Sequence, residues 1–285
     1  MTTFALKLLA VLTMLIDHCG AVFGDAGALD WSTTLVLREI GRLSFPIYAF
    51  LAAVGWKKTR DRAAYLRRML AGGLLSAVPY ALAFAYDAAP GLAWNWNGWQ
   101  SALFALLLLC ALYGCLWGAD GGDWRTALLT AAFLTLPGIS LSVGGAAVLW
   151  REQSIFYTLA YALFLLSCLR KPAWRDVWRL PVAVLFPVLY AFDYGVFGAL
   201  LVVGLYLCRK KWQDPIVLAV FAYLLYLTDY VCTQNWIYAG CFCLAAAPVL
   251  LYNGRKGPGG QRWFYAVYPV HLLALGLIRY LLLEG

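Results

Sequence analysis

The chain has 285 residues, of which 64% are apolar and only 13% are charged, with a net charge of +8. A soluble domain carries about 25% charged residues. Apolar runs of near-spanning length recur along the whole chain, so the composition excludes an ordinary soluble protein and predicts a polytopic membrane protein. Membrane topology explains the basic excess, so no nucleic-acid partner is expected. The eight cysteines follow no metal-ligand spacing, so no metal is expected.

The first predicted span, 4–23, carries ionisable residues that a simple anchor would not need. Lys7, Asp17 and His18 lie inside it, and a charged group within a span costs about 2.5–3.5 kcal/mol on insertion scales. Lys7 and His18 are separated by three helical turns plus roughly 20°, so they share one stripe about 16 Å long. The sequence therefore predicts a cation near one membrane face and an imidazole deeper in.

Ten or eleven spans are predicted in all, forming an all-α domain over residues 1–285 around a polar intramembrane cavity. The spans are 4–23, 36–56, 68–87, 100–118, 126–149, 154–170, 179–192, 194–208, 215–231, 234–252 and 262–283. The seventh and eighth are short and separated only by Asp193, so they form either a hairpin or one broken helix. The count of ten or eleven depends on that choice.

Basic residues predict the orientation of these spans. They concentrate in the loops after even-numbered spans, at 57–68, 170–179, 209–211 and 255–262, whereas the other loops hold Arg151 and little else. Cytoplasmic loops carry an excess of Lys and Arg. The N-terminus is therefore predicted to be cytoplasmic, and the C-terminus to lie outside the plasma membrane.

The start of the second predicted span is rich in charge. Arg38, Glu39 and Arg42 lie there, and the two arginines are one turn apart on a shared helix face. They are near the predicted depth of Asp17. Two compatible interpretations stay open: an Asp17–Arg42 ion pair that locks the two spans together, or a pair that also orients His18 for catalysis.

The last predicted span carries the second histidine of the chain. His271 lies roughly 13 Å from the inner face, if the span is helical. Because the chain has only two histidines and both lie at membrane depth, a shared polar cavity is favoured. Asp193 and Tyr194 fall near the predicted outer face, as part of either an interrupted helix lining a cavity or a plain hairpin turn.

The loop at 57–68, with the sequence KKTRDRAAYLRR, is the densest basic feature of the chain. Its positive charge would by itself be enough to orient the chain in the membrane and to bind lipid headgroups. The alternative is a seat for a polyphosphate ligand, because Arg and Lys beside a helix start bind phosphates well.

Five stretches together resemble the TraX family, integral membrane proteins named for the enzyme that acetylates the N-terminus of conjugative pilin. They are K-x-L-A-x-x-x-M-x-I-D-H-x-G at 7–20, R-x-I-G-R-x-x-F-P-I at 38–47, T-R-x-x-x-x-Y-L-x-R at 59–68, D-Y-G-x-x-G at 193–198 and F-Y-x-x-Y-P-x-H-L at 264–272. The spacing of Lys7 and His18 also resembles the first helix of the wider acyltransferase-three superfamily. Those membrane acetylases move an acyl group from a cytoplasmic donor to an acceptor beyond the membrane.

The resemblance implies a transmembrane acetyltransferase that uses acetyl-coenzyme A. We expect the donor phosphates at the inner-face cations Lys7, Lys57, Lys58, Arg60, Arg67 and Arg68. His18 is expected to be the general base, because imidazole has an unperturbed pKa near 6.5. Asp17 is expected to form an ion pair with Arg42 or Arg38. His271 is expected to orient the thioester or the acceptor, and it completes the predicted catalytic group. Accessory roles are expected for Arg38, Glu39, Asp193 and Tyr194.

Several alternatives stay open at this stage. The acceptor is an amine or a hydroxyl of a peptide, protein or glycan, and an acetyl-histidine intermediate is compatible with the sequence. A small-molecule or proton-coupled transporter would also use intramembrane His, Asp and Arg, but it predicts an internal repeat, and none is evident. A non-catalytic assembly subunit would need His18 only for stability.

Overall fold

The computed structural model describes residues 1–117, 123–169, 176–228, 236–259 and 263–284. The basic residues Arg170, Lys171, Arg175 and Arg262 lie outside the described residues. The described chain confirms the all-α class, with one small sheet. The helices are α1 (Thr3–Asp25), α2 (Trp31–Gly41), α3 (Ser44–Lys58), α4 (Arg62–Phe84), α5 (Gly98–Trp117), α6 (Trp124–Thr135), α7 (Ile155–Cys168), α8 (Arg179–Leu189), α9 (Gly195–Leu207), α10 (Gln213–Thr228), α11 (Trp236–Leu244), α12 (Ala246–Leu250) and α13 (Trp263–Glu284).

Three helices in the described part of the chain, α1, α5 and α13, are long and apolar enough to cross a membrane. Helices α7, α8, α9 and α10 are apolar but shorter. A membrane span must satisfy its backbone hydrogen bonds internally, which favours helices wherever the chain is continuously apolar. These properties are those of a helical membrane protein.

The second predicted span, 36–56, is not one continuous helix. α2 ends at Gly41 and α3 begins at Ser44. In a continuous helix the ring of Pro46 would clash with the carbonyl of residue 42, whereas the first turn of a new helix tolerates proline. The break leaves Arg38 on a separate short helix.

The fifth predicted span, 126–149, is wrong beyond its first half. α6 ends at Thr135, just before Pro137, and the chain continues into the strands β2 (Ile139–Val143) and β3 (Ala146–Leu149). Gly144 and Gly145 join these strands with φ of +60° and +80°, as a tight type I′ turn requires. The strand β1 (Gly91–Trp94) adds antiparallel to β2, which gives the sheet order β1-β2-β3.

The chain forms two compact units, one of Met1–Lys58 with Leu200–Gly285 and one of Thr59–Ala199. In the first unit α1 packs against α2, α3 and α13. In the second unit α4 packs against α6 and α7, and α5 packs against α6 and α8. The single domain over 1–285 stays a prediction.

Candidate histidine site on the first and last helices

Small residues allow α1 and α2 to pack closely. A side-chain carbon added at Gly20 would lie 2.7 Å from Cβ of Leu37, and one added at Gly41 would lie 2.1 Å from Cβ of Asp17. Glycine at such positions permits the close backbone approach seen between membrane helices. The contact places Asp17 directly against the end of α2.

Asp17 joins α1 to α2 through two arginines. Nη1 of Arg38 donates to Oδ2 of Asp17 at 3.1 Å, and Nη2 of Arg42 lies 3.9 Å from Oδ1. Arg42 is buried, and the side chain of Asp17 is 15% exposed. A buried carboxylate needs such partners, because an isolated charge at this depth is costly. Asp17 therefore pairs with both arginines, and Arg38 is the closer partner.

His18 and His271 are in direct contact although they lie at opposite ends of the sequence. Nδ1 of His18 is 2.7 Å from Nε2 of His271, and the two rings are nearly parallel, with centroids 4.9 Å apart. The ring of Tyr268 lies edge-on to both imidazoles. His18 itself is buried. The two histidines therefore form one site.

Helices α1 and α13 run side by side in the same direction. Near the start of α1, the Phe4 ring and the Lys7 ammonium group contact the ring of Phe264, near the start of α13. Further along both helices His18 meets His271. The stripe from Lys7 to His18 thus faces α13, which supplies an aromatic ring at one end and an imidazole at the other. The predicted topology requires this parallel arrangement, and the membrane side stays a prediction.

Lysines gather at the end of the first unit where α1 begins. Nζ of Lys57 donates to the carbonyl of Cys208 at 2.8 Å, just beyond α9. Nζ of Lys58 donates to the hydroxyl of Tyr252, and Nζ of Lys211 donates to its carbonyl, just beyond α12. Ammonium groups bind well at helix C-termini because the last carbonyls lack helical partners. Three predicted inner-face loops thus meet at one end of this unit.

The other predicted donor-binding residues belong to the second unit. Arg60 and Arg68 are exposed near the start of α4. Arg67 forms an ion pair with Asp123, and that carboxylate also accepts a hydrogen bond from Thr126 at the start of α6. The sequence interpretation did not foresee that Arg67 has a structural partner.

Asp193 and Tyr194 lie in the turn between α8 and α9, which are two distinct helices. Tyr194 adopts a left-handed backbone, with φ of +58°, a conformation uncommon for a non-glycine residue. The N–H of Asp193 donates to the carbonyl of Gln153 at 3.1 Å, and its carboxylate accepts from the hydroxyl of Tyr80 at 3.4 Å. These contacts anchor the turn to the second unit. A cavity lined by Asp193 stays a prediction.

Two residues of α13 were not among the predicted site residues. Tyr268 packs against both imidazoles, and Arg279 is a buried cation at 6% exposure. A signal for both was present in the sequence. They lie three residues before and eight residues after His271, close to its helix face, and an arginine inside an apolar span is unusual in itself.

An apolar groove of about 310 Å³ lies between α10 and α11, away from the histidines. It is lined by Ala219, Ala222, Tyr223, Tyr226, Ala239, Gly240 and Cys243. None of the predicted site residues contributes to it. The polar cavity expected around the histidines stays a prediction.

The fold and the site define a helical membrane protein whose first and last helices meet at a histidine pair. The chain belongs to the TraX family, since the family model described as "TraX protein" matches residues 3–150 and 132–279. It is similar to the "Probable fimbrial assembly protein FimC, serogroup H1" of Dichelobacter nodosus, with 25% identity over 287 residues, 96% of this chain and 94% of the relative. No solved structure matches the chain.

Proposed function

We propose that this TraX-family chain is a transmembrane acetyltransferase that moves an acetyl group from cytoplasmic acetyl-coenzyme A to an acceptor at the outer side. The observation that carries the proposal is the buried contact between His18 and His271. Ionisable side chains at membrane depth are expensive and usually serve a function. The spacing of Lys7 and His18 is similar to that of acyltransferase-three enzymes, which supports a relation to that superfamily.

In the proposed reaction, neutral His18 is the general base. It takes the proton of the acceptor amine or hydroxyl as that group attacks the thioester carbonyl. The tetrahedral intermediate then collapses, the C–S bond breaks, and the coenzyme A thiolate receives the proton from His18. The new bond is an amide or an ester, so atoms and charge balance.

Positive charge near His18 supports this chemistry. The guanidinium groups of Arg38 and Arg42 pair with Asp17, the residue that directly precedes His18 on α1. Negative charge develops on the thioester oxygen during attack, and fixed cationic donors stabilise such an oxyanion. Asp17 holds both arginines through its carboxylate, so the three residues form a preorganised group beside the proposed base.

The donor phosphates are proposed to bind at the end of the first unit where α1 begins. Lys57, Lys58 and Lys211 lie together there, and Lys7 follows within the first turns of α1. Along α1 the distance from Lys7 to His18 is about 16 Å, a length that suits the pantetheine arm of coenzyme A. The relative named as a fimbrial assembly protein supports a peptide or protein acceptor.

Substitution of His18 by asparagine tests the base directly. Asparagine keeps polarity and much of the volume, but it cannot take the proton. We expect acetyl transfer to fall by about 10²–10⁴-fold, with coenzyme A binding retained. The measurement is transfer of labelled acetyl groups from acetyl-coenzyme A to short peptides with free N-termini, by protein in nanodiscs. Cys19→Ala, the next residue on α1, is the matched control, and near-normal transfer by His18→Asn would refute the mechanism.

The donor site is tested by coenzyme A affinity and its salt dependence. If the donor-site lysines hold phosphates, affinity should fall as salt rises, since exposed charges are screened. Lys57→Ala, Lys58→Ala and Lys211→Ala should each weaken binding, whereas Arg151→Ala, in a predicted outer loop, should not. Unchanged affinity in all three lysine variants would remove these lysines from the donor site.

A further inference from the structure

The hydrogen bond at Nδ1 of His271 determines which of the two ring nitrogens of His271 carries the proton. Nδ1 of His271 lies 2.8 Å from the carbonyl oxygen of Val267, one turn earlier in α13. A carbonyl oxygen can only accept, so Nδ1 is the donor and is protonated. In a neutral His271, Nε2 is therefore the unprotonated nitrogen and acts as the acceptor.

That assignment determines the proton on His18 as well. Nε2 of His271 lies 2.7 Å from Nδ1 of His18. Since the neutral Nε2 accepts, Nδ1 of His18 must donate. Neutral His18 then carries its proton on Nδ1, and its basic lone pair is on Nε2.

We propose that His271 is a positioning residue that holds His18 in the Nδ1–H tautomer, so that Nε2 of His18 is the atom that takes the proton. This inference rests on the proposed acetyl transfer. The sequence interpretation expected a different role for His271, orientation of the thioester or acceptor. The contacts instead give it a role toward His18, comparable to that of the carboxylate that orients the histidine of a Ser-His-Asp triad.

The same contact helps when His18 becomes charged. Once Nε2 of His18 has taken the proton, the ring is an imidazolium and its Nδ1–H donates a charge-assisted hydrogen bond, which is stronger than a neutral one. The carbonyl of Val267 keeps His271 in the accepting tautomer during this step. The ring centroid of Tyr268 lies 5.9 Å from that of His18 and 5.5 Å from that of His271. The tyrosine ring therefore limits rotation of both imidazoles.

Nitrogen NMR can test the tautomers without any activity assay. Because the chain has two histidines, protein labelled with ¹⁵N only in histidine and purified with a histidine-free tag gives signals from two rings. We expect both neutral rings to show a protonated Nδ1 and an unprotonated Nε2, and single-histidine variants assign the signals. A neutral His18 with its proton on Nε2 would overturn the proposal, whether or not the protein transfers acetyl groups.

Two substitutions of His271 separate positioning from packing. His271→Gln can present its side-chain carbonyl near the former Nε2 and accept from His18, whereas His271→Leu fills similar space but cannot accept. We expect His271→Leu to lower kcat by on the order of 10²–10⁴-fold with little change in the KM for acetyl-coenzyme A. His271→Gln should recover at least about tenfold of that loss, because it satisfies the same donor.

The NMR readout of these variants gives the decisive comparison. His18 should lose the Nδ1–H tautomer in His271→Leu and keep it in His271→Gln. Leu275→Ala, a buried residue one turn further along α13, controls for lost packing and should leave the tautomer unchanged. Equal kcat in the two His271 variants, or Nδ1–H on His18 in both, would overturn the proposal. Absence of transfer by the wild-type protein with the expected tautomers would instead refute the proposed function.

Discussion

Replacing Gly41 with alanine tests whether the close packing of α1 and α2 builds the site. The added carbon would lie 2.1 Å from Cβ of Asp17 and 2.4 Å from its Oδ1. Carbon atoms in favourable contact are about 3.5–4.0 Å apart. The Cβ of Asp17 moves only with the backbone of α1, so the two helices would have to separate by about 1.4 Å or more at this level.

That separation has two costs. Inserting a carbon into a well-packed contact costs about 1–3 kcal/mol. The 3.1 Å bond from Arg38 to Asp17 would also lengthen beyond hydrogen-bond distance, which leaves a largely buried ion pair poorly matched. We expect Gly41→Ala to lower the free energy of unfolding by at least about 2 kcal/mol. Acetyl transfer should fall too, because His18 directly follows Asp17.

The assay compares the unfolding free energies of purified variants in one detergent. Gly240→Ala is the matched control, because an added carbon there would meet nothing within 4 Å, and alanine should be neutral or stabilise α11 by about 0.5–1 kcal/mol. In an Asp17→Gly background the clash is absent, so Gly41→Ala should cost much less. Equal stability of the Gly41 and Gly240 variants would refute the packing argument.

Two further predictions concern the second unit and the orientation of the chain. Asp123 accepts a hydrogen bond from Thr126, and this bond holds the pKa of the Asp123 carboxyl below its usual value. The contribution of this carboxylate to stability is therefore present above about pH 4 and is lost as the pH falls through the lowered pKa. Asp123→Ala should lower the free energy of unfolding by about 0.5–2 kcal/mol at pH 7, with a smaller difference in acid; a pH-independent difference would contradict this. In a cysteine-free variant, Arg60→Cys should resist an impermeant thiol reagent in intact cells and Val143→Cys, in the exposed β-hairpin, should react. The reverse labelling would contradict the predicted topology and the donor path.

The sequence was sufficient to predict the long apolar helices. A run of about 20 apolar residues specifies a helix in a membrane, because the backbone has no other source of hydrogen bonds there. α1, α5 and α13 therefore follow from composition and length. The fixed repeat of the helix also placed Lys7 and His18 on one stripe before any tertiary contact was known.

The two broken spans show where local rules were ambiguous. Membrane helices tolerate proline when neighbours satisfy the freed backbone groups, so by local rules Pro46 and Pro137 are compatible with a kink as well as with a helix end. Here other contacts favour a true end. Ser44 donates its hydroxyl to the carbonyl of Ala10 at 2.9 Å, and Asn95 donates to the carbonyl of Pro137 at 2.8 Å. Both partners are distant in sequence, so the sequence alone could not tell a kink from an end.

Only the tertiary structure decided which helix faces meet. His18 and His271 are 253 residues apart, and helix periodicity assigns each to a face without saying which faces pack together. Asp17 could have paired with either arginine by spacing, and in the folded chain Arg38 is the nearer partner. The tautomer of His18 depends, through His271, on a carbonyl of α13. The hydrogen bond made by one imidazole nitrogen determines which of the two nitrogens carries the proton.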